Sequence, residues 1–381
     1  MKHLFFLVAA LAQLATAHAD DAPRARDLGV PFDGTPGPLN AITDVDGVMV
    51  GHETIMKDLR GGRAVRTGVT AILPRGDKTL DDRVYAGVFA LNGNGEMTGS
   101  HWVEESGYLE GPVMITNTHS VGAVHEGVIR WRVKQDGPDA TGYWWSLPVV
   151  AETWDGHLND INGFHVTSKH AASAIESAKA GPVAEGNVGG GTGMICHEFK
   201  CGIGTSSRKV EIRGGEYTVG VLVQANYGVR SELKIAGVPV GEHLTDNLAY
   251  DEPQGDTGSI IIVVATDAPL LPHQLKRMAR RASLGLARMG SYAGNGSGDI
   301  FIAFSTAEET MRKETPVSDV SSVGFEAMDD LFLATVRATE EAIVNAMVAA
   351  RDLTGDQGHR AVAINHEQLR EVLKDYGRLA E

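Results

Sequence analysis

The sequence predicts an α/β fold in one domain, with β-sheets covered by helices, and three observations predict it. The run Ser259 to Ala265, "SIIIVVA", is an almost unbroken β-branched and apolar stretch, which is how a strand buried on both faces is written. The segments "PLLPHQLKRMARRASLGLARMG" and "FEAMDDLFLATVRATEEAIVNAMVAA" repeat apolar residues at three- and four-residue intervals, so each is a helix with one face for a core. Finally, no linker, internal repeat or composition shift divides the 381 residues, a length that one large domain can fill. Strands mixed with amphipathic helices give sheets covered by helices.

Each element follows in chain order. Residues 20 to 40 read as an extended, proline-rich lead-in. "GVMVGHETI", "GVTAILPRG" and "GVFALNGNGE" are short strands bounded by glycine and turn residues, and "GPVMITNTHSVG" is another that ends in a polar loop. Helices are predicted at about 120–135 and at 168–180, the second with a serine start and a glycine stop. "GEYTVGVLVQANYG" is a strand with a polar, glycine-rich exit. After the 259–265 strand, Asp267 is a candidate N-cap for the helix carrying Leu271, Leu275, Met278, Ala282, Leu286 and Met289 on one face. "GDIFIAFSTA" is a further strand, and the terminal "HEQLREVLKDYGRL" is a short surface helix or a tail.

Composition narrows the function. A hydrophobic fraction of 43% and a charged fraction of 22% are those of a globular chain. The net charge of −15 argues against a nucleic-acid partner, because neutralising phosphates needs a basic face. The basic cluster "KRMARR" at 276–281 lies on an amphipathic helix and marks its solvated side. Forty-six glycines cluster in "LNGNGEMTG", "EGNVGGGTGM" and "GSYAGNGSGD", where backbone must turn tightly or approach something closely.

The N-terminus "MKHLFFLVAALAQLATAHADD" has one early lysine, an apolar stretch and a small-x-small site at Ala17-His18-Ala19. That is the pattern of a secretory signal peptide over residues 1–19, cleaved before Asp20, and the expected location is the periplasm. Cys196 and Cys201 in "CHEFKC" suit a local disulfide or two free thiols better than a metal site, since the spacing is not that of a zinc half-site. No HExxH, GxxxxGK[ST] or GxSxG occurs, and no metal or organic cofactor is indicated.

Polar residues flanked by glycine stand at three predicted strand ends: Asn226 in "VQANYG", Ser259 in "TGSIII", and Ser297 with Asp299 in "GNGSGDIF". Functional groups gather there because a sheet is rigid and its loops are accessible. Singly each is ordinary, since serine and asparagine favour turns for local hydrogen-bonding reasons. "GNVGGGTGM" matches neither phosphate-loop fingerprint.

Together, "NTHSVG", "LPVVAETWDGHLNDINGFHV", "EGNVGGGTGM", "GIGTSSR", "VQANYG", "TGSIIIVVATDAPL" and "GSYAGNGSGD" make the chain from about Gly29 to Ala350 resemble one family. It is the self-processing aminopeptidase family of the L-aminopeptidase/D-amidase/D-esterase and the bacterial β-peptidyl aminopeptidases. The resemblance implies an αββα sandwich of the N-terminal-nucleophile type. It also implies a precursor that cuts itself at Gly258–Ser259 into a 20–258 chain and a 259–381 chain, with Ser259 as nucleophile. The new α-amine, with a reference pKa of about 7.7–8.0, is then placed to act as base for its own hydroxyl. Glycine at 258 lets the backbone take a strained or positive-φ geometry there.

By the same resemblance, Ser297 and Asp299 orient the nucleophile; Asp299 stands where relatives carry glutamate. Asn226 stabilises the oxyanion, and Glu152 in "AETWDG" receives the substrate's free amino group. Trp154 shapes the pocket where some relatives have tyrosine, and Asn117 lines it. The tryptophans of "GYWWS" fit core or pocket equally. The implied function is an exported serine aminopeptidase acting on short peptides, amides and esters with a free amino group, assembled as an oligomer of processed pairs. An acyltransferase of the same architecture would share self-cleavage and differ in product. A non-catalytic binding protein would keep an intact chain and tolerate Ser259→Ala.

Overall fold

The computed structural model describes residues 23–78, 83–136, 145–212, 214–252, 255–307 and 319–380; the expected signal peptide lies outside them. Two sheets form the centre. The first runs β1 (Met49–Asp58), β2 (Ala64–Leu73), β5 (Val113–Asn117), β6 (Val149–Thr153). The second runs β4 (Tyr108–Leu109), β3 (Val84–Gly93), β12 (Gly298–Ser305), β11 (Ser259–Thr266), β10 (Gly215–Asn226), β9 (Ile203–Ile212). Pairs β5–β6 and β11–β12 are parallel and the others antiparallel. Two-residue strands form hairpins at β7 (Ile195–Cys196) with β8 (Phe199–Lys200) and at β13 (Leu353–Thr354) with β14 (Arg360–Ala361).

Side-chain alternation sorts the core into layers. Val50, Ile72, Ile115 and Ala151 of the first sheet meet Val88, Leu222, Ile261, Val263 and Ile302 of the second. On the outer face of the first sheet, Val69 and Ala71 pack with Val124 and Val128 of α2 (Val121–Asp136) and Ala171 and Ile175 of α3 (Ser168–Glu176). On the outer face of the second, Val221, Ile260, Ile262 and Phe301 pack with Leu275 and Met278 of α5 (Pro272–Arg288) and Leu331 and Ile343 of α6 (Met328–Val348). The result is helix, sheet, sheet, helix.

Strand β11 is buried on both faces, as its sequence predicts: Ile260, Ile262 and Val264 point to the helices, Ile261, Val263 and Ala265 to the other sheet. Each buried isoleucine or valine contributes roughly 1.5–3 kcal/mol, so this strand is firmly held. Its first residue inherits that rigidity.

One local expectation changes, and the alternative left for the C-terminus resolves to a helix. Helix α5 starts at Pro272 with Gln274 capping the Leu271 amide at 2.9 Å, so Asp267 is not its N-cap. Asp267 instead accepts from the Thr218 amide at 2.7 Å, tying the end of β11 to β10. The C-terminal segment is a packed helix, α7 (His366–Asp375), capped by Asn365 and burying Leu369 and Leu373. Of the "KRMARR" cations, Lys276 and Arg280 are exposed, while Arg277 and Arg281 lie over the Phe332 ring.

Candidate active site

Sheet order does what the sequence alone cannot. Ser259 opens β11 opposite Asn226, the last residue of antiparallel β10, and opposite Gly298, the first of parallel β12. One edge of one sheet therefore gathers Asn226, Ser259, Ser297 and Asp299, although the loops between them span α5 and a long connection. Ser259 is itself buried, only 6% exposed.

The bond ahead of Ser259 is held from two sides. The Gly298 N–H donates to the Gly258 carbonyl oxygen at 3.1 Å. A Cβ on residue 258 would stand 2.1 Å from the Asn226 carbonyl oxygen and 2.5 Å from the Tyr227 Cα. Gly258 is not at positive φ. The expectation of a special backbone angle is therefore replaced by a packing reason: two strands' backbones pass too closely for any side chain. Gly298 is equally constrained, its Cβ position lying 2.4 Å from the Asn94 carbonyl oxygen.

Asp299 and Ser297 form a buried pair. The Ser297 hydroxyl donates to Asp299 Oδ1 at 2.7 Å, and Asp299 Oδ2 is buried with no hydrogen-bond partner among the described residues. Asp299 stands beside the nucleophile's own strand, pairing with Ile260 in the ladder. Burial, and behind it the Asp256 carboxylate, push this carboxyl up to about 6, against the Ser297 hydrogen bond.

Asn226 is oriented by its surroundings. The Ile195 amide donates to Asn226 Oδ1 at 2.8 Å, which fixes the amide and leaves Nδ2 as the free donor. Asn226 shares a cavity of about 400 Å³ with Trp154, His157, Tyr250, Thr257 and Gly258. Asn226 Nδ2 thus stands at the wall of this cavity as a side-chain donor of the kind an oxyanion requires.

Glu152, at 3% exposure, is fixed by the Glu96 amide at 3.0 Å and by the Thr118 hydroxyl. Gly95 separates it from the sheet edge: a Cβ there would be 3.1 Å from Glu152 Oε1 and 3.3 Å from the Gly298 Cα. Burial holds the carboxyl above the usual glutamate range, the Glu96 charge adding to it and the Thr118 and Glu96 hydrogen bonds and His119 opposing. Glu152 forms no ion pair with a lysine or arginine among the described residues, so its carboxylate is suited to receive a cation from outside.

Trp154 is 45% exposed and lines the cavity. Asn117 does not: it is buried, with Nδ2 donating to Thr67 Oγ1 at 2.7 Å and its amide in reach of Asp155. Trp145 is exposed and meets Trp102 edge-on at 6.4 Å, so it belongs to neither core nor cavity, and Trp144 lies outside the described residues.

Three contributors escape a reading by residue type. The Gly298 and Ile195 N–H groups act through backbone, which leaves no chemical signature in a sequence. Asp256 accepts from the Gly228 amide at 3.0 Å and the Gly294 amide at 3.2 Å, clamping the segment that leads to Gly258 between two glycine-rich loops. The clustering of glycines around Asn226 and Ser297 was the signal for it. Cys196 and Cys201 are joined in a disulfide that closes the β7–β8 hairpin beside the cavity.

Comparisons with known proteins fit this geometry. The model of peptidase family S58 matches residues 40–361. The chain is 52% identical to the β-peptidyl aminopeptidase BapA of Sphingosinicella microcystinivorans, over 96% of both chains. Among solved structures it resembles the L-aminopeptidase D-Ala-esterase/amidase of Ochrobactrum anthropi, described as a prototype for the serine aminopeptidases with a variant of the Ntn hydrolase fold. That match has a TM-score of 0.87 and 52% identity, covering 94% of this chain and all of that one. A Burkholderia sp. β-aminopeptidase matches with a TM-score of 0.84 and 48% identity, over 93% of this chain and 99% of its own.

Proposed function

The chain belongs to peptidase family S58, and from that premise we propose how it works as a serine aminopeptidase, with Ser259 as its nucleophile. The observation that carries the proposal is the register placing Ser259, preceded by a hydrogen-bonded glycine carbonyl, between Asn226 and Gly298 at the end of a rigid strand.

Self-cleavage comes first. Ser259 Oγ attacks the Gly258 carbonyl carbon, whose oxygen already accepts from Gly298. The C–N bond breaks as its nitrogen takes a proton, leaving an ester on Oγ and a free Ser259 amine. Water hydrolyses that ester, giving a Gly258 carboxylate and restoring the hydroxyl. In turnover the amine takes the proton of Oγ as Oγ attacks a substrate carbonyl. Asn226 Nδ2 and the Gly298 N–H stabilise the oxyanion, the amine leaving group departs protonated, and water releases the acid. Ser297 and Asp299 hold the nucleophile's strand end in place.

Glu152 selects substrates with an unblocked N-terminus by pairing with their ammonium group. β-Amino acids are proposed beside L-amino acids as acyl groups, because the relatives' names span both. Export to the periplasm is supported by the N-terminal pattern and the Cys196–Cys201 disulfide, a bond favoured in oxidising compartments. A homo-oligomer of processed pairs is supported by exposed Leu284, Phe325 and Leu333 on and beside α5 and α6.

The test is hydrolysis of β-alanyl and L-alanyl amides, each free and N-acetylated. Release from the free amides alone supports the proposal. Equal release from the acetylated pair would remove Glu152 from its role, and no release from any would remove the activity.

A further inference from the structure

The two ends of a single peptide unit, Met194–Ile195, are tied to different things. Its N–H donates to Asn226 Oδ1 at 2.8 Å. Its carbonyl oxygen accepts from Lys200 Nζ at 2.8 Å and from the Cys201 amide at 3.0 Å. Lys200 is wholly buried and faces no carboxylate among its hydrogen-bond partners; its ammonium is spent on the carbonyls of Gly191, Met194 and Cys201. A buried amine costs folding free energy unless its donors are used, and here they go to backbone carbonyls of the glycine-rich loop at Gly191 and Met194 and of the hairpin's far end at Cys201. The Cys196–Cys201 disulfide closes the same hairpin, whose turn residues His197 and Glu198 are both left-handed. The His197 amide then fastens the turn to the Tyr227 carbonyl, one residue beyond Asn226.

We infer that the disulfide-closed hairpin Ile195–Cys201, pinned by Lys200, is a positioning device for the side-chain amide of Asn226. Holding the Met194–Ile195 peptide plane in place keeps Asn226 Oδ1 occupied and its Nδ2 aimed into the cavity. If the plane tilts, the amide is free to rotate and present oxygen to a developing oxyanion, the wrong charge. Lys200 and the two cysteines touch no substrate; they act through Asn226. The inference rests on the proposed oxyanion role of Asn226.

The test is a mutant cycle on kcat per active site, with sites counted by a serine-directed acylating reagent. Compared are wild type, Cys196→Ala/Cys201→Ala, Lys200→Met, Asn226→Ala, and the cysteine pair combined with Asn226→Ala. Where a precursor stays uncut, the cleavage rate of the purified precursor replaces kcat. The device predicts about a tenfold fall in kcat for the cysteine pair, KM changed less than twofold, and no further fall in the Asn226→Ala background, as coupled residues require.

Equal falls in both backgrounds, an unchanged kcat, or a change in KM alone would overturn the inference while leaving Asn226 in its role. A wild-type kcat in Asn226→Ala would instead overturn the role itself. Lys200→Met is the variant most prone to misfold, and the cysteine pair decides the matter without it.

Discussion

The Gly298 N–H points at the carbonyl oxygen of Gly258 from 3.1 Å away. Since β12 runs parallel to β11, the donor and the bond it polarises are fixed by ladder geometry, not by a mobile side chain. Adding a methyl to Gly298 places it 2.4 Å from the Asn94 carbonyl oxygen, just past β3, so residue 298 and its N–H must shift. Gly298→Ala should slow precursor cleavage by about 10²–10³-fold, the effect of losing one oxyanion donor. A time course of the two chains on a denaturing gel reads it directly, and cleavage at the wild-type rate would show that the donor is dispensable.

Glu152→Gln keeps the shape of the side chain and removes its charge. A hydrogen bond to a charged group contributes about 1.5–3 kcal/mol, so KM for free-amine amides should rise about 10- to 100-fold with kcat changed less. The pH dependence has a definite sign. Burial raises the Glu152 carboxyl, so as pH falls through that raised value the free enzyme loses the anion and KM climbs. In Glu152→Gln the same limb should be flat.

Asp299, pushed up to about 6, should set the acid side of the proposed self-cleavage. Below that pH its carboxyl is protonated and loses its strength as acceptor for the Ser297 hydroxyl. Cleavage of a slow precursor such as Gly298→Ala should therefore rise as pH increases through about 6. Asp299→Asn in the same background should abolish the dependence. A rise that survives Asp299→Asn would assign the titration to another group.

Asp155 offers a test on stability. It is fully buried and its carboxyl is pushed up to about 7, burial outweighing the hydrogen bond from Asn159. A carboxyl raised on folding binds its proton more tightly in the native state. Its stabilisation is complete below the unfolded value near 3.8 and is lost as pH rises through about 7. Asp155→Asn mimics the protonated form. Its Tm relative to wild type should improve between pH 5 and pH 8, and a constant difference would contradict this assignment.

Much of the fold was legible because burial on both faces of β11 and on one face of α5 and α6 leaves a plain periodic record. The polar residues at the strand ends were legible as well. What brings them together was not: the pairing of β11 with β12 is parallel and non-local, so no local pattern announces that Gly298 faces Ser259. Glycine at 258 is demanded by space and not by backbone angle, and the strand that takes up that space is non-local. Asn117 turned inward because Thr67 on the neighbouring strand offers its amide a partner, a contact invisible before the sheet is assembled. Asp267 looked like a helix cap, yet the helix waits for Pro272, whose fixed φ suits a first turn.

Everything in the proposed mechanism depends on whether the bond between Gly258 and Ser259 is cut by the chain itself. Intact mass and N-terminal sequencing of the purified protein, beside its Ser259→Ala variant, decide that. The account predicts two chains in the wild type, the smaller starting Ser-Ile-Ile-Ile at Ser259, and a single uncut chain in the variant. A wild type that stays whole, or a variant that is cut at the same bond, would contradict an N-terminal serine made by self-cleavage.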